Sequence, residues 1–158
     1  DHVAAHVARV HAEMKTQGIA YDRYAYSKFQ EECDYLGLEI DHVPHPQGGK
    51  NRAKPLDKWV ETAKKEGKSA PLGLWMPGSV KAVEEAFMDK RIRLRLSPLL
   101  MTALMGARLE RDAHDNGWFV KQKATVRIDA AVALAMAIGL AEHAPPPPKK
   151  KMYNVFFV

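Results

Sequence analysis

What most constrains this chain is the order in which apolar periodicities change over its first 43 residues. Residues 1–17 read as an amphipathic helix, with Asp1 as N-cap and Val3, Val7, Val10 and Met14 along one stripe. Gly18 stands where a helix end favours a left-handed residue, and Ile19-Ala20-Tyr21 follow as a short buried strand with Asp22 at its C-terminal end. A second helix carries Phe29, Cys33 and Leu36 on one face and stops at Gly37, after which Leu38 to Val43 alternate as a strand. Helix, strand, helix, strand predicts an α/β fold. With 158 residues the chain can bury one core but has little room for a second.

Further along, Pro44 to Lys54 is a basic loop of mobile composition, and Pro55 opens a helix whose apolar face is Leu56, Trp59, Val60 and Ala63. Pro77-Gly78-Ser79 reads as a turn with Ser79 as N-cap of a helix that turns Val80, Val83 and Phe87 inward. Residues 91–96 alternate Arg91, Arg93 and Arg95 with Ile92, Leu94 and Leu96, a period-two pattern that predicts a strand with one cationic face. Ser97-Pro98 is an N-cap followed by proline at the first helical position. Asn116-Gly117 marks a hairpin turn between two short strands. After Lys121-Gln122-Lys123, an alanine-rich helix runs from Asp129 to about Ala141 and is small enough on most faces to pack closely against a sheet. The four prolines from Pro145 end the domain, so residues 1–144 form it and 145–158 a basic, then aromatic, tail.

Composition narrows the function. The 24 Lys and Arg exceed the 19 Asp and Glu, giving a formal charge of +5, which favours polyanionic partners and puts nucleic acid first among them. A single cysteine, Cys33, excludes an internal disulfide and a thiolate zinc cluster. No stretch has the apolar length of a membrane span, and the opening residues lack the basic-then-apolar order of a secretory signal, so the expectation is a cytoplasmic protein.

Two acids stand where metal chemistry favours them. Asp22 ends a strand, and Asp129 opens a helix whose dipole favours a carboxylate. Magnesium and manganese prefer oxygen ligands, and carboxylates converging from separate elements can bracket a phosphate. The same positions equally suit a turn former and a helix cap. Lys121, Lys123 and Arg127 precede the last acid and are candidates for phosphate contact. Arg91, Arg93 and Arg95, with Lys50, Arg52 and Lys54 of the basic loop, are candidates to track a DNA backbone, although a solvated face has the same composition. Asp112 and Asp115 fit turn chemistry at least as well as ligation. His42 and His45 fit a strand end and a loop, and Trp59, Trp75 and Trp118 read as packing anchors.

Three motifs in order carry a resemblance. Ile19-Ala20-Tyr21-Asp22-Arg23-Tyr24 resembles the strand-ending aYDR motif of the nuclease domain of phage terminase large subunits, the motors that package and cut viral DNA. Trp75-Met76-Pro77-Gly78-Ser79, then the arginine segment and Ser97-Pro98, is similar to that family's middle section, where Asn-Pro usually stands in place of Ser-Pro. Lys121-Gln122-Lys123-Ala124 and Arg127-Ile128-Asp129-Ala130-Ala131-Val132-Ala133-Leu134-Ala135-Met136-Ala137 resemble the family's closing signature.

The resemblance implies an RNase H-like fold, a mixed central sheet flanked by helices, with two Mg²⁺ or Mn²⁺ ions held by acids on separate elements. Asp22 then corresponds to the second acid and Asp129 to the last. The first acid belongs to an opening strand with no counterpart here, and no Gly-x-x-x-x-Gly-Lys-Ser/Thr loop of an ATPase is present. The implied activity is endonucleolytic cutting of concatemeric double-stranded DNA during packaging, weak in this chain for want of that acid. The alternative is a catalytically inactive DNA-binding or assembly fragment of the same family. Implied partners are duplex DNA, the terminase small subunit and the portal, in the host cytoplasm.

Overall fold

The computed structural model describes residues 2–16, 18–24, 26–95 and 97–143. The expected N-cap Asp1, the strand position Leu96 and the tail lie outside them. Helix α1 (His2–Met14) leads to β1 (Gly18–Tyr21), α2 (Tyr26–Tyr35) and β2 (Asp41–Pro44). Strands β1 and β2 pair in parallel, Gly18 opposite Asp41 and Tyr21 opposite Pro44, with α2 as the crossover that such pairing requires. Gly37, at φ 63°, ends the helical path after α2 as expected, but β2 begins three residues later than the alternation suggests. In α1 the buried residue is Ala4, while Val3 and Met14 are exposed, so the inward stripe is rotated from the expected one. Tyr26 of α2 stacks on Tyr21 of β1 with ring centroids 3.5 Å apart, and its hydroxyl is hydrogen-bonded with Nδ1 of His42 in β2 at 2.5 Å. Burial is the main cause that pushes the Tyr26 hydroxyl up to about 12, which keeps it protonated.

Helix α3 (Asp57–Lys65) buries Trp59, and α4 (Met76–Met88) buries Met76, Val80, Ala82 and Ala86. Two expectations fail at α4. The helix starts three residues before Ser79, because Pro77 fits its first turn, so Ser79 is a buried interior residue rather than a cap. Phe87 is exposed, and the alanines take the inward face. Helix α5 (Pro98–Gly106) is capped as expected, the Ser97 hydroxyl accepting from the Leu100 N–H.

The hairpin of β3 (Leu109–Arg111) and β4 (Gly117–Phe119) pairs antiparallel. Lys121–Lys123 form one 3₁₀ turn, and α6 (Asp129–His143) closes the described fold. Instead of one mixed sheet, the described residues form two separate two-stranded sheets. Helix α6 joins them. Ile128, Val132, Ala135 and Met136 pack with Met76 and Val80 of α4 and, more loosely, with Ala20, Trp118 and Phe119. Leu140 packs with Val43, Trp59 and Leu74. Each fully buried side chain of Ile or Val size stabilises the fold by about 1.5–3 kcal/mol. The small residues of α6 bring it mainly onto helix α4, with α5 and β1 as further neighbours, rather than chiefly onto a sheet.

No helix among the described residues is long and apolar enough to cross a membrane.

Candidate nucleic-acid and metal site

Asp22 follows β1 directly, partly exposed, and its Oδ1 accepts the N–H of Arg23 at 2.8 Å. That bond is local, to the main chain of the next residue. Its carrier peptide is well fixed, since the N–H of His45, one residue past β2, donates to the Tyr21 carbonyl at 2.8 Å. Arg23 and Tyr24 beyond it are exposed, Tyr24 to 91%.

Asp129 is the first residue of α6, as expected, and faces solvent. Its Oδ1 accepts from Nζ of Lys121 at 2.9 Å. The hydrogen bond from Lys121 holds the Asp129 carboxyl below its ordinary range, reinforced by the charge of Lys121 and, more weakly, of Arg127. Among the described residues no hydrogen bond or ion pair joins Asp129 to Asp22.

The expected cationic residues divide into two groups. Lys121 is bound to Asp129, and Lys123 pairs with Glu110 of β3. Arg91 bonds to Glu142 at 2.6 Å and to Asp89 at 3.3 Å. Arg52 lies over the ring of Trp75, 4.7 Å from its centroid, and donates to the Gly73 carbonyl at 3.2 Å. These four are engaged within the protein. Arg93, Arg95, Lys50, Lys54 and Arg127 are exposed and have no ion pair among the described residues.

The strand predicted for the arginine segment is absent from residues 91–95. Lys90 adopts φ 56°, and the Arg91 N–H turns back to the Ala86 carbonyl at 2.9 Å, so the segment leaves α4 as a closing turn with no strand edge beside it.

Of the segment Pro44 to Lys54, expected to be a mobile loop, Pro44 belongs to β2 and the remainder is fastened. The indole N–H of Trp75 donates to the Gly49 carbonyl at 2.8 Å. The ring of Trp118 covers Gly49 so closely that a Cβ there would sit 2.3 Å from it. The Ala53 N–H donates to the Leu74 carbonyl at 2.9 Å. Both tryptophans are thus packing anchors, and the loop presents Lys50 and Lys54 outward from a fixed backbone.

Asp112 accepts from the N–H groups of His114 and Asn116 and from the Asn116 side chain, which hold its carboxyl low, Asn116 foremost. It is a turn residue. Asp115, at φ 63°, pairs with Arg111, so the left-handed residue of the hairpin precedes Asn116-Gly117.

No local pattern signals the pair His45 and Ser79. Both are 1% exposed, the buried polar residues among those described, and Nε2 of His45 lies 2.8 Å from the Ser79 hydroxyl. Their separation of 34 positions hides the contact from any local pattern.

A pair of divalent ions needs several oxygen ligands around one point. The described residues contain no group of three or more His, Cys, Asp or Glu side chains placed to hold a metal. Asp22 and Asp129 therefore do not make up a complete two-metal site, and the cation nearest Asp129 is its own lysine.

Three likenesses bear on this arrangement. Residues 74–144 match the family model described as terminase large subunit, endonuclease domain. Over 139 residues the chain is 27% identical to the large terminase subunit of Enterobacteria phage HK97, a match covering 88% of this chain and 23% of that one. It superposes on the crystal structure of the HK97 bacteriophage large terminase with a TM-score of 0.65 at 26% identity, over 87% of this chain and 24% of the other. The chain thus spans about a quarter of the length of the relatives it matches.

Proposed function

We propose that this chain, whose residues 74–144 match the endonuclease-domain model of terminase large subunits, serves in cutting double-stranded DNA during viral genome packaging. The observation that carries this reading is that the matched segment contains Lys121, Arg127 and Asp129 in one stretch, while the likeness to the HK97 protein extends over most of the chain.

In this reading the domain is RNase H-like, and Asp22 and Asp129 are the carboxylates this chain contributes toward holding Mg²⁺ or Mn²⁺. Such ions activate water and neutralise charge at a scissile phosphate. The exposed cations Lys50, Lys54, Arg93, Arg95 and Arg127 engage the DNA backbone without reading its bases. Lys121 and Lys123 join them only when they leave Asp129 and Glu110. The terminase small subunit and the portal are the partners proposed for the assembled motor, in the host cytoplasm, with residues 145–158 as a tail outside the domain.

The test is cleavage of linear and supercoiled duplex DNA with Mg²⁺ or Mn²⁺, beside binding measured in chelator. Weak cleavage is expected, because the carboxylate set is partial. It should be abolished by Asp22→Asn and by Asp129→Asn, while DNA affinity stays within about threefold, since losing one carboxylate leaves the phosphate contacts intact. Strong cleavage that survives both substitutions overturns the assignment of the acids. Tight binding with no cleavage under any metal would instead identify an inactive DNA-binding member of the family.

A further inference from the structure

The His45–Ser79 pair is a polar link buried where three elements meet. The Nδ1 of His45 lies 3.1 Å from the Pro46 carbonyl. A carbonyl can only accept, so Nδ1 carries the proton and Nε2 accepts the Ser79 O–H at 2.8 Å. Burial lowers the affinity of this imidazole for a second proton, consistent with a neutral ring with both nitrogens satisfied. On the other side Ser79 abuts α6, since a Cβ added at Gly139 would come within 1.8 Å of the Ser79 hydroxyl oxygen and 2.7 Å of its Cβ. Through its backbone, His45 donates to the carbonyl of Tyr21, the residue before Asp22.

One residue therefore grips the end of β1 with its main chain and α4 with its ring, while α4 is seated against α6 at the same point. Helix α6 is a single 15-residue rod that begins with Asp129. A buried hydrogen-bonded pair adds little net stability over a well-packed apolar pair of the same shape. Its directionality, however, fixes angle and distance in a way that apolar contacts do not.

We infer that His45 is a positioning residue: its hydrogen bond to Ser79 holds the strand end that carries Asp22 in register with α4 and with the helix that opens on Asp129. The inference rests on the proposed role of these two acids only for its consequence in catalysis. The positional claim stands apart from it.

Two measurements on the full chain test it. In backbone amide spectra, Ser79→Ala and His45→Leu should shift the resonances of Tyr21, Asp22 and Arg23 and speed hydrogen exchange of the His45 N–H at least tenfold. His45→Gln, whose side-chain carbonyl can accept the Ser79 O–H, should restore most of both. In cleavage measured well below the Tm of every variant, His45→Leu should lower kcat at least tenfold at unchanged KM for duplex DNA, with recovery in His45→Gln. Amide changes confined to residues 45 and 79, or a loss of activity that only follows a loss of Tm, overturns the inference. Should Asp22→Asn cut as well as the unaltered chain, the functional reading fails, and the amide spectra alone decide the positional claim.

Discussion

Asp129 and Lys121 bind each other, and each would have to let go to take up the role proposed for it. Lys121, proposed above as a phosphate contact, is the hydrogen-bond donor that holds the Asp129 carboxyl low. A carboxylate whose folded pKa lies below its unfolded value contributes stability that is fully present above the unfolded pKa and is lost as pH falls through the folded one. Both side chains are largely exposed, so screening keeps that contribution small. The pKa itself is the sensitive quantity. Lys121→Met is predicted to raise it toward the ordinary aspartate range, read by carbon-13 carboxyl titration. An unmoved midpoint would show that Arg127 or the start of the helix sets it instead.

At the scale of elements, α6 is the piece on which the rest depends, and Gly139 is its most constrained position. Gly139→Ala would gain about 1 kcal/mol of helix propensity. It would also force a methyl against Ser79, and overpacking of this kind costs about 1–3 kcal/mol, the upper part of that range being expected where the obstruction is a hydrogen-bonded hydroxyl. Net destabilisation is therefore predicted in urea denaturation, and a stabilised variant would show that α4 and α6 are free to part there.

Helices α2, α5 and α6 were legible because their signals are local: Gly37, Ser97-Pro98 and the alanine-rich run after Asp129. The arginine segment was not, because an alternating pattern needs a neighbouring edge to become a strand, and residues 91–95 have none. The expectation for Ser79 fails for a related reason. A Pro-Gly pair looks like a turn, but proline is also at home in a first helical turn, and what Ser79 contacts lies 34 positions away.

Over the whole molecule, the net charge of +5 matters less than which cations remain uncommitted. Lys50, Lys54, Arg93, Arg95 and Arg127 face solvent without ion pairs among the described residues, whereas Arg52, Arg91, Lys121 and Lys123 are engaged within the protein. Composition revealed the surplus of positive charge, but only tertiary contacts could divide it. Likewise, the motifs single out Asp22 and Asp129, while their separate surroundings in the fold could not be read from spacing. If the uncommitted cations contact phosphates, each contributes about 0.9 to the slope of log affinity against log salt. Removing Lys50 and Lys54 together should then flatten that slope by about 2. Arg52→Ala should leave it nearly unchanged. The reverse ranking in a salt titration of DNA binding would refute this division of the surface.

The fastening of residues 46–54 bears on this surface in one more respect. Ordering a flexible backbone costs about 1–2 kcal/mol per residue at room temperature, and a loose loop incurs that loss when a ligand arrives. Here Trp75 and Trp118 have ordered Gly49 in the free protein, so the entropy is surrendered during folding, where burial of the tryptophans offsets it. A polyanion reaching Lys50 and Lys54 has only the two side chains left to still.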